Sequence, residues 1–178
     1  MKNMILWLVV LACILEGSHL CAATTAGKSS QDDIVISSQG QTDCIVIVSP
    51  GAGANERRAA GDLVKYIEIM CGHRPVLAQQ AETIQLALSG DKPLLIVGQK
   101  ALELESKLKV ALQSVLKKEP LLRTDGIVLR RVGQRVYLAG NNDLAHYFAA
   151  ARLLHLWGCR WYMPTEFGEC IPEERDLT

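Results

Sequence analysis

Two uninterrupted apolar runs, Cys44-Ile-Val-Ile-Val48 and Leu94-Leu-Ile-Val97, constrain the fold of this chain more than any other feature. A strand with one wet face alternates apolar and polar residues. A run without alternation is buried on both faces, so the sheet that holds it needs helices on both sides. Turn-forming residues bound both runs: Asp43 and Ser49-Pro50-Gly51 around the first, Gly98 after the second. Helical spacing follows each. Ala59, Leu63, Tyr66, Ile67 and Met70 predict a helix with Asn55 as its cap and Gly72 as a left-handed stop. A second helix is predicted from residue 101 to 118, with Leu104, Leu108, Ala111 and Val115 on one face and Pro120 beyond its end. Ile84 to Leu88 reads as a short strand. Gly126–Arg130 and Arg135–Ala139 flank Gly133 as an antiparallel hairpin. Gly140-Asn141-Asn142-Asp143 supplies a turn and a cap for a third helix. That helix is expected to turn Leu144, Tyr147, Phe148, Ala151 and Leu154 inward and to end at Gly158. Trp161-Tyr162 starts a last extended piece. The order β-α-β-α-β-β-α-β predicts one layered α/β domain with a mixed sheet.

The N-terminus carries a different signal. Lys2 precedes an apolar run, Met4 to Ile14, of the length of a secretion-signal core. A bilayer span needs about 20 apolar residues, so this run is too short to be one. Cleavage after Ala22 or Ala23 is expected. The reading is therefore a signal peptide over 1–23, a flexible leader over 24–42 and a folded domain over 43–178, exported to the periplasm or beyond. A lipid anchor on Cys21 is the rival, disfavoured by the bulky Leu20 before it. Lys and Arg number 19 and so do Asp and Glu. A neutral chain has no electrostatic grip on nucleic acid or an anionic membrane, and no second apolar run predicts stable membrane insertion.

Export makes disulfides feasible for Cys44, Cys71, Cys159 and Cys170. Four cysteines allow three full pairings, and the sequence does not choose among them. Cys44 and Cys71 also read as buried thiols. Cys159 and Cys170, close in sequence, form a candidate disulfide across a loop.

Few residues carry a chemical motif. Ser49-Pro-Gly-Ala-Gly-Ala54 lies between a strand and a helix, where a dinucleotide loop would sit, but the third glycine of that fingerprint is replaced by Glu56. No Gly-Lys-Ser/Thr follows it, so it is not a phosphate loop either. His155 and Cys159 have the spacing of two metal ligands on a helix, but Gly158 ends that helix and no second ligand pair exists. No metal and no cofactor is predicted. There is no Gly-x-Ser-x-Gly elbow, and His73 and His146 stand in no motif. Glu166, Glu169, Glu173 and Glu174 cluster near the C-terminus. Sugar cleavage needs two facing acids, and spacing alone does not pair these, so no catalytic residue is assigned. Trp157, Arg160, Trp161 and Tyr162 stand together. Flat aromatic faces stack on sugars and arginine binds carboxylates, which makes Arg160, Trp161 and Tyr162 the candidate substrate-binding residues. The competing reading is a packed aromatic hinge.

The stretch Leu153-Leu-His-Leu-Trp-Gly-Cys-Arg-Trp-Tyr-Met-Pro-Thr-Glu-Phe-Gly-Glu-Cys-Ile-Pro172 resembles the N-terminal domain of α-glucuronidase-like glycoside hydrolases, and most of all a group of related exported bacterial proteins. Three other stretches agree in order: Ala59-Ala-Gly-Asp-Leu-Val-Lys-Tyr-Ile-Glu-Ile-Met-Cys-Gly72, Leu94-Leu-Ile-Val-Gly98, and Asp125-Gly-Ile-Val-Leu-Arg130 through Gly140. Trp157 and Asp62 depart from the usual pattern. The resemblance covers Ile45 to Pro172. It implies a small α/β domain like the one before the barrel of hexosaminidases. In such proteins a (β/α)₈ barrel follows, and it holds the catalytic acids, so none is carried onto this chain. The expected function is a non-catalytic accessory domain of an exported glycoside hydrolase acting on polysaccharide, uronic-acid-containing in the family's case. With the sequence stopping at Thr178, a fragment or truncated product is expected, and the missing barrel is the expected partner. The alternatives are a freestanding carbohydrate-binding or protein-interaction module, and an enzyme with its own nucleotide site, which the broken glycine fingerprint disfavours.

Overall fold

Both apolar runs lie in the middle of a five-stranded sheet. The structure, a computed structural model, describes residues 33–115 and 125–178. The strands are β1 (Ile45–Ile47), β2 (Val76–Ala78), β3 (Leu94–Val97), β4 (Ile127–Val132) and β5 (Arg135–Gly140), in the order β2-β1-β3-β5-β4. β1, β2, β3 and β5 are parallel, and β4 closes one edge antiparallel to β5. The helices are α1 (Ala54–Cys71), α2 (Ala81–Ser89), α3 (Gln99–Leu104), α4 (Lys107–Ser114) and α5 (Asp143–Leu156). A separate two-stranded ribbon, β6 (Arg160–Trp161) and β7 (Glu169–Cys170), is joined through a 3₁₀ turn at Glu166–Gly168. The mixed α/β domain expected from the sequence is the one observed.

All four residues of β3 are buried, as a strand between two helical layers must be. Val46, Leu95, Val97 and Leu138 face α1 and α5, while Ile47, Leu94, Ile96, Tyr137 and Ala139 face α2, α3 and α4. Buried alanines Ala59 and Ala60 of α1 and Ala149 and Ala150 of α5 lie in the first layer, where small side chains suit the close packing of the two helices. Gly72 ends α1 with φ +84, its N–H donating to the Glu68 carbonyl at 2.8 Å.

Several sequence expectations are corrected. The predicted second helix is two helices, because Glu105 adopts an extended conformation between them. That break resets the phase: Ala101, Leu102, Leu108 and Leu112 are buried, whereas Leu104, Ala111 and Val115 are exposed. Residues 116–118 and Pro120 lie outside the described residues. Ile84 to Leu88 is not a strand but part of α2, with Ile84 and Ala87 inward and Leu86 outward. The strand of that region is β2, whose single buried residue, Ala78, leaves no periodic signal. On α5 the buried face includes Ala145, His146, Ala149, Ala150, Leu153 and Leu154, so Leu144 and Phe148 point outward instead. Asn142 caps this helix by accepting from Ala145 N at 2.8 Å.

The flexible leader over 24–42 is also corrected within its described part. Ile34 and Ile36 are buried. Ile36 N donates to the Leu177 carbonyl at 2.8 Å, and Leu177 N donates back to the Ser37 carbonyl at 3.1 Å. Thr42 Oγ1 donates to the Ile36 carbonyl. Two apolar side chains entering the core hold this stretch down. The signal peptide over 1–23 and the rest of the leader lie outside the described residues. No helix among the described residues is long and apolar enough to cross a membrane.

Candidate functional site

One side of α1 carries the solvent-facing Arg58, Asp62 and Lys65, with the buried Tyr66 beside them at the margin of the core. Tyr147, Ala151 and Leu154 form a matching stripe on α5. The segment 161–166 and Glu169 close the third side. Between them lies an open groove of about 800 Å³.

Two tyrosine–carboxylate pairs organise this groove. Tyr66 OH donates to Glu169 Oε1 at 2.8 Å and accepts from Trp161 Nε1 at 3.0 Å. The Trp161 and Tyr66 rings meet edge to face, 5.1 Å between centroids. Lys65 Nζ lies 4.7 Å from the centre of the Tyr66 ring and 3.6 Å from Glu169 Oε2. In the second pair, Tyr147 OH donates to Asp62 Oδ2 at 3.1 Å, Arg58 Nε lies 3.8 Å from the same oxygen, and the Arg58 guanidinium sits 5.1 Å from the Tyr147 ring centre. Burial raises the Tyr66 phenol; the Trp161 hydrogen bond opposes this and Glu169 reinforces it. Burial, then Asp62, raises Tyr147. Burial acts to lower Lys65, but Tyr66 and Glu169 outweigh it and hold the ammonium above its usual range. At neutral pH both phenols are therefore donors and Lys65 is charged.

Of the candidate residues, Trp161 and Tyr162 line the groove. Arg160 does not: its guanidinium donates to the carbonyls of His155 and Cys159, each at 2.8 Å, closing the end of α5. That is a helix C-terminus neutralised by a cation. Arg58, Asp62, Lys65, Tyr66 and Tyr147 were not singled out by sequence. Arg58, Asp62 and Lys65 read as a solvated polar stripe on α1, and Tyr66 and Tyr147 were expected only as inward-packed residues of their helices. Glu169, one of the C-terminal acids, is committed to Tyr66 and Lys65. The candidate disulfide is not formed: all four described cysteines are free thiols. Cys159 is buried with Sγ 3.6 Å from Met70 Sδ, whereas Cys170 is exposed. Burial pushes the Cys44 thiol up to about 12 and raises Cys159 as well, so neither is a ready thiolate. His155 is exposed while Cys159 is buried, and no group of three or more His, Cys, Asp or Glu among the described residues is arranged to hold a metal.

A second polar cluster lies where the strand order reverses, beyond the C-terminal ends of β1 and β3. Open α/β sheets bind ligands at such points. Here the chain's own carboxylates occupy it. Asp143 accepts from Asn55 N at 3.2 Å, Asn55 Nδ2 at 2.9 Å and Glu56 N at 3.1 Å. Glu56, 1% exposed, accepts from Gln99 N at 2.9 Å and Gly53 N at 3.4 Å. The backbone donors that a phosphate would need are taken. Burial acts to raise Asp143, but the N–H groups of Glu56 and Asn55 and nearby His146 outweigh it and lower the acid. Glu56 is raised, chiefly by burial, with the Gln99 and Gly53 N–H groups opposing.

His146 completes this cluster. Its Nδ1 accepts from Gly140 N at 2.8 Å, so the neutral ring carries its proton on Nε2, which donates to Gln99, 3.4 Å away, with the amide turned to present its oxygen. Burial, partly offset by Asp143, lowers its pKa. Protonating Nδ1 would set two N–H groups against each other. In the window between the lowered folded value and about 6.5, the unfolded chain takes up a proton that the folded chain refuses, so stability falls as pH drops below about 6.5. Urea titrations at pH 7 and pH 5 check this: wild type weakens at pH 5, and His146→Asn removes most of the difference. A wild-type stability that is level across the window would exclude the assignment.

The chain matches no protein-family model, and no curated protein matches it significantly.

Proposed function

We propose that this domain is a non-catalytic accessory domain of an exported glycoside hydrolase, and that it contacts polysaccharide through the groove between α1, α5 and β6–β7. The groove carries the reading: an open trough combines aromatic side chains, Trp161 and Tyr162, with hydrogen-bonding groups from Arg58, Asp62, Lys65 and Glu169. Sugars present apolar C–H faces beside polar hydroxyls, and amphipathic aromatic rings with polar neighbours suit both. The proposed catalytic barrel would pack beside the groove. The exposed ledge of Tyr162, Met163 and Phe167, the last 98% exposed, supports a covering neighbour there. Export rests on the N-terminal pattern of Lys2 and Met4 to Ile14.

Calorimetric titration of the purified chain with plant and bacterial cell-wall oligosaccharides tests the reading. Trp161→Ala is expected to weaken binding about tenfold, equivalent to about 1.4 kcal/mol. Trp157→Phe serves as the control, since Trp157 lies outside the groove and donates to the Thr178 carbonyl. Equal binding by wild type and Trp161→Ala, with thermal unfolding unchanged, would rule the groove out.

A further inference from the structure

We propose that the groove selects a neutral sugar and rejects an acidic one; this rests on the carbohydrate reading of the same groove. An acidic sugar is favoured where cations outnumber acids, and the lining of the groove has the reverse balance. Arg58 is paired with Asp62, and Lys65 with Glu169. Each carboxylate is also held by a tyrosine hydroxyl, Asp62 by Tyr147 and Glu169 by Tyr66, so both acids are fixed in place beside the cations. The third acid, Glu166, also lines the groove and has no cation partner among the described residues. Two cations thus face three carboxylates, and the groove carries one net negative charge at neutral pH.

That arrangement suits hydroxyl groups. A carboxylate has about four lone-pair sites on its two oxygens, so Asp62 and Glu169 retain acceptor capacity beyond the bonds they already make. A sugar hydroxyl donates to such an oxygen without changing the charge. A ring carboxylate in the same place instead meets like charge and loses its own hydration. The groove is open to water, so the penalty is moderate and screened by salt.

The experiment compares gluco- and galacto-configured oligosaccharides in three forms that differ only at C6: the carboxylate, its methyl ester and the alcohol. Calorimetry with the purified chain at low and at high salt reads their dissociation constants. The alcohol and the ester are expected to bind at least about fivefold more tightly than the carboxylate at low salt, with the gap narrowing at high salt. Glu166→Gln is expected to narrow the same gap at low salt by strengthening binding of the carboxylate form. Glu166 is exposed, so this variant folds as the parent does. Equal or tighter binding of the carboxylate would overturn the neutral-sugar inference and leave the carbohydrate reading standing. Binding of none of the three forms in either configuration would overturn both.

Discussion

Glu56→Ala will lower the stability of the domain by about 3 kcal/mol. The side chain is 1% exposed and closes the crevice beyond β1 and β3. Its two oxygens accept from Gln99 N and Gly53 N, donors on different elements, and so tie the start of α3 to the start of α1. Truncation leaves both N–H groups facing a void, adding unpaired buried donors to lost packing. Glu56→Gln keeps the shape but offers one acceptor oxygen in place of two, and is expected to cost about half as much. Urea denaturation of the three proteins at pH 7 measures this. A loss below about 1 kcal/mol for the alanine variant would mean that water takes over the role of the carboxylate.

The second large effect is at Gly98, on the other wall of the same crevice. Gly98 has φ +68 and ψ −134, a backbone conformation that essentially only glycine adopts. A Cβ at this position would collide with the Glu56 side chain. Gly98→Ala therefore carries backbone strain and a steric clash together, and is expected to cost about 3–4 kcal/mol. The two contributions separate in a double-mutant cycle. Removing Glu56 relieves the clash but not the strain, so the double variant should be more stable than the sum of the single losses predicts, by about 1 kcal/mol or more. Strict additivity would show that the strain alone accounts for the Gly98 effect.

The parts of this fold that were legible in the sequence are those in which one interaction dominates. β1 and β3 are uninterrupted apolar runs because both faces of the strand are covered, and all four residues of Leu94-Leu-Ile-Val97 are buried. The β4–β5 hairpin was visible through Gly133 and its flanking β-branched residues. β2 was not visible, because an edge strand with one buried alanine is fixed by pairing to β1 rather than by its own composition. The helical faces of α4 and α5 were misphased for a related reason. Glu105 breaks one helix without a proline or glycine to announce it, and α5 buries alanines and a histidine where leucine and phenylalanine were the obvious choice. The groove was half legible. Trp161 and Tyr162 stand out because aromatics are scarce in this chain. Arg58, Asp62 and Lys65 resemble any wet helical surface, and Tyr147 an ordinary packed residue, until α1 and α5 are laid side by side. Arg160 misled because its company was aromatic, while its geometry serves the end of a helix.

The order of strands in the sheet also governs how the chain reaches it. The β4–β5 hairpin closes across only two residues, so it can form early and by itself. Every other pairing is parallel and joins segments separated by at least one helix, which means that the backbone must pay for long closures before the central strand gains either neighbour. Until β3 is seated, Leu94-Leu-Ile-Val97 is an apolar segment without charge or proline, the composition that promotes intermolecular pairing. Assembly of this domain is therefore a race between docking that segment and losing it to another chain.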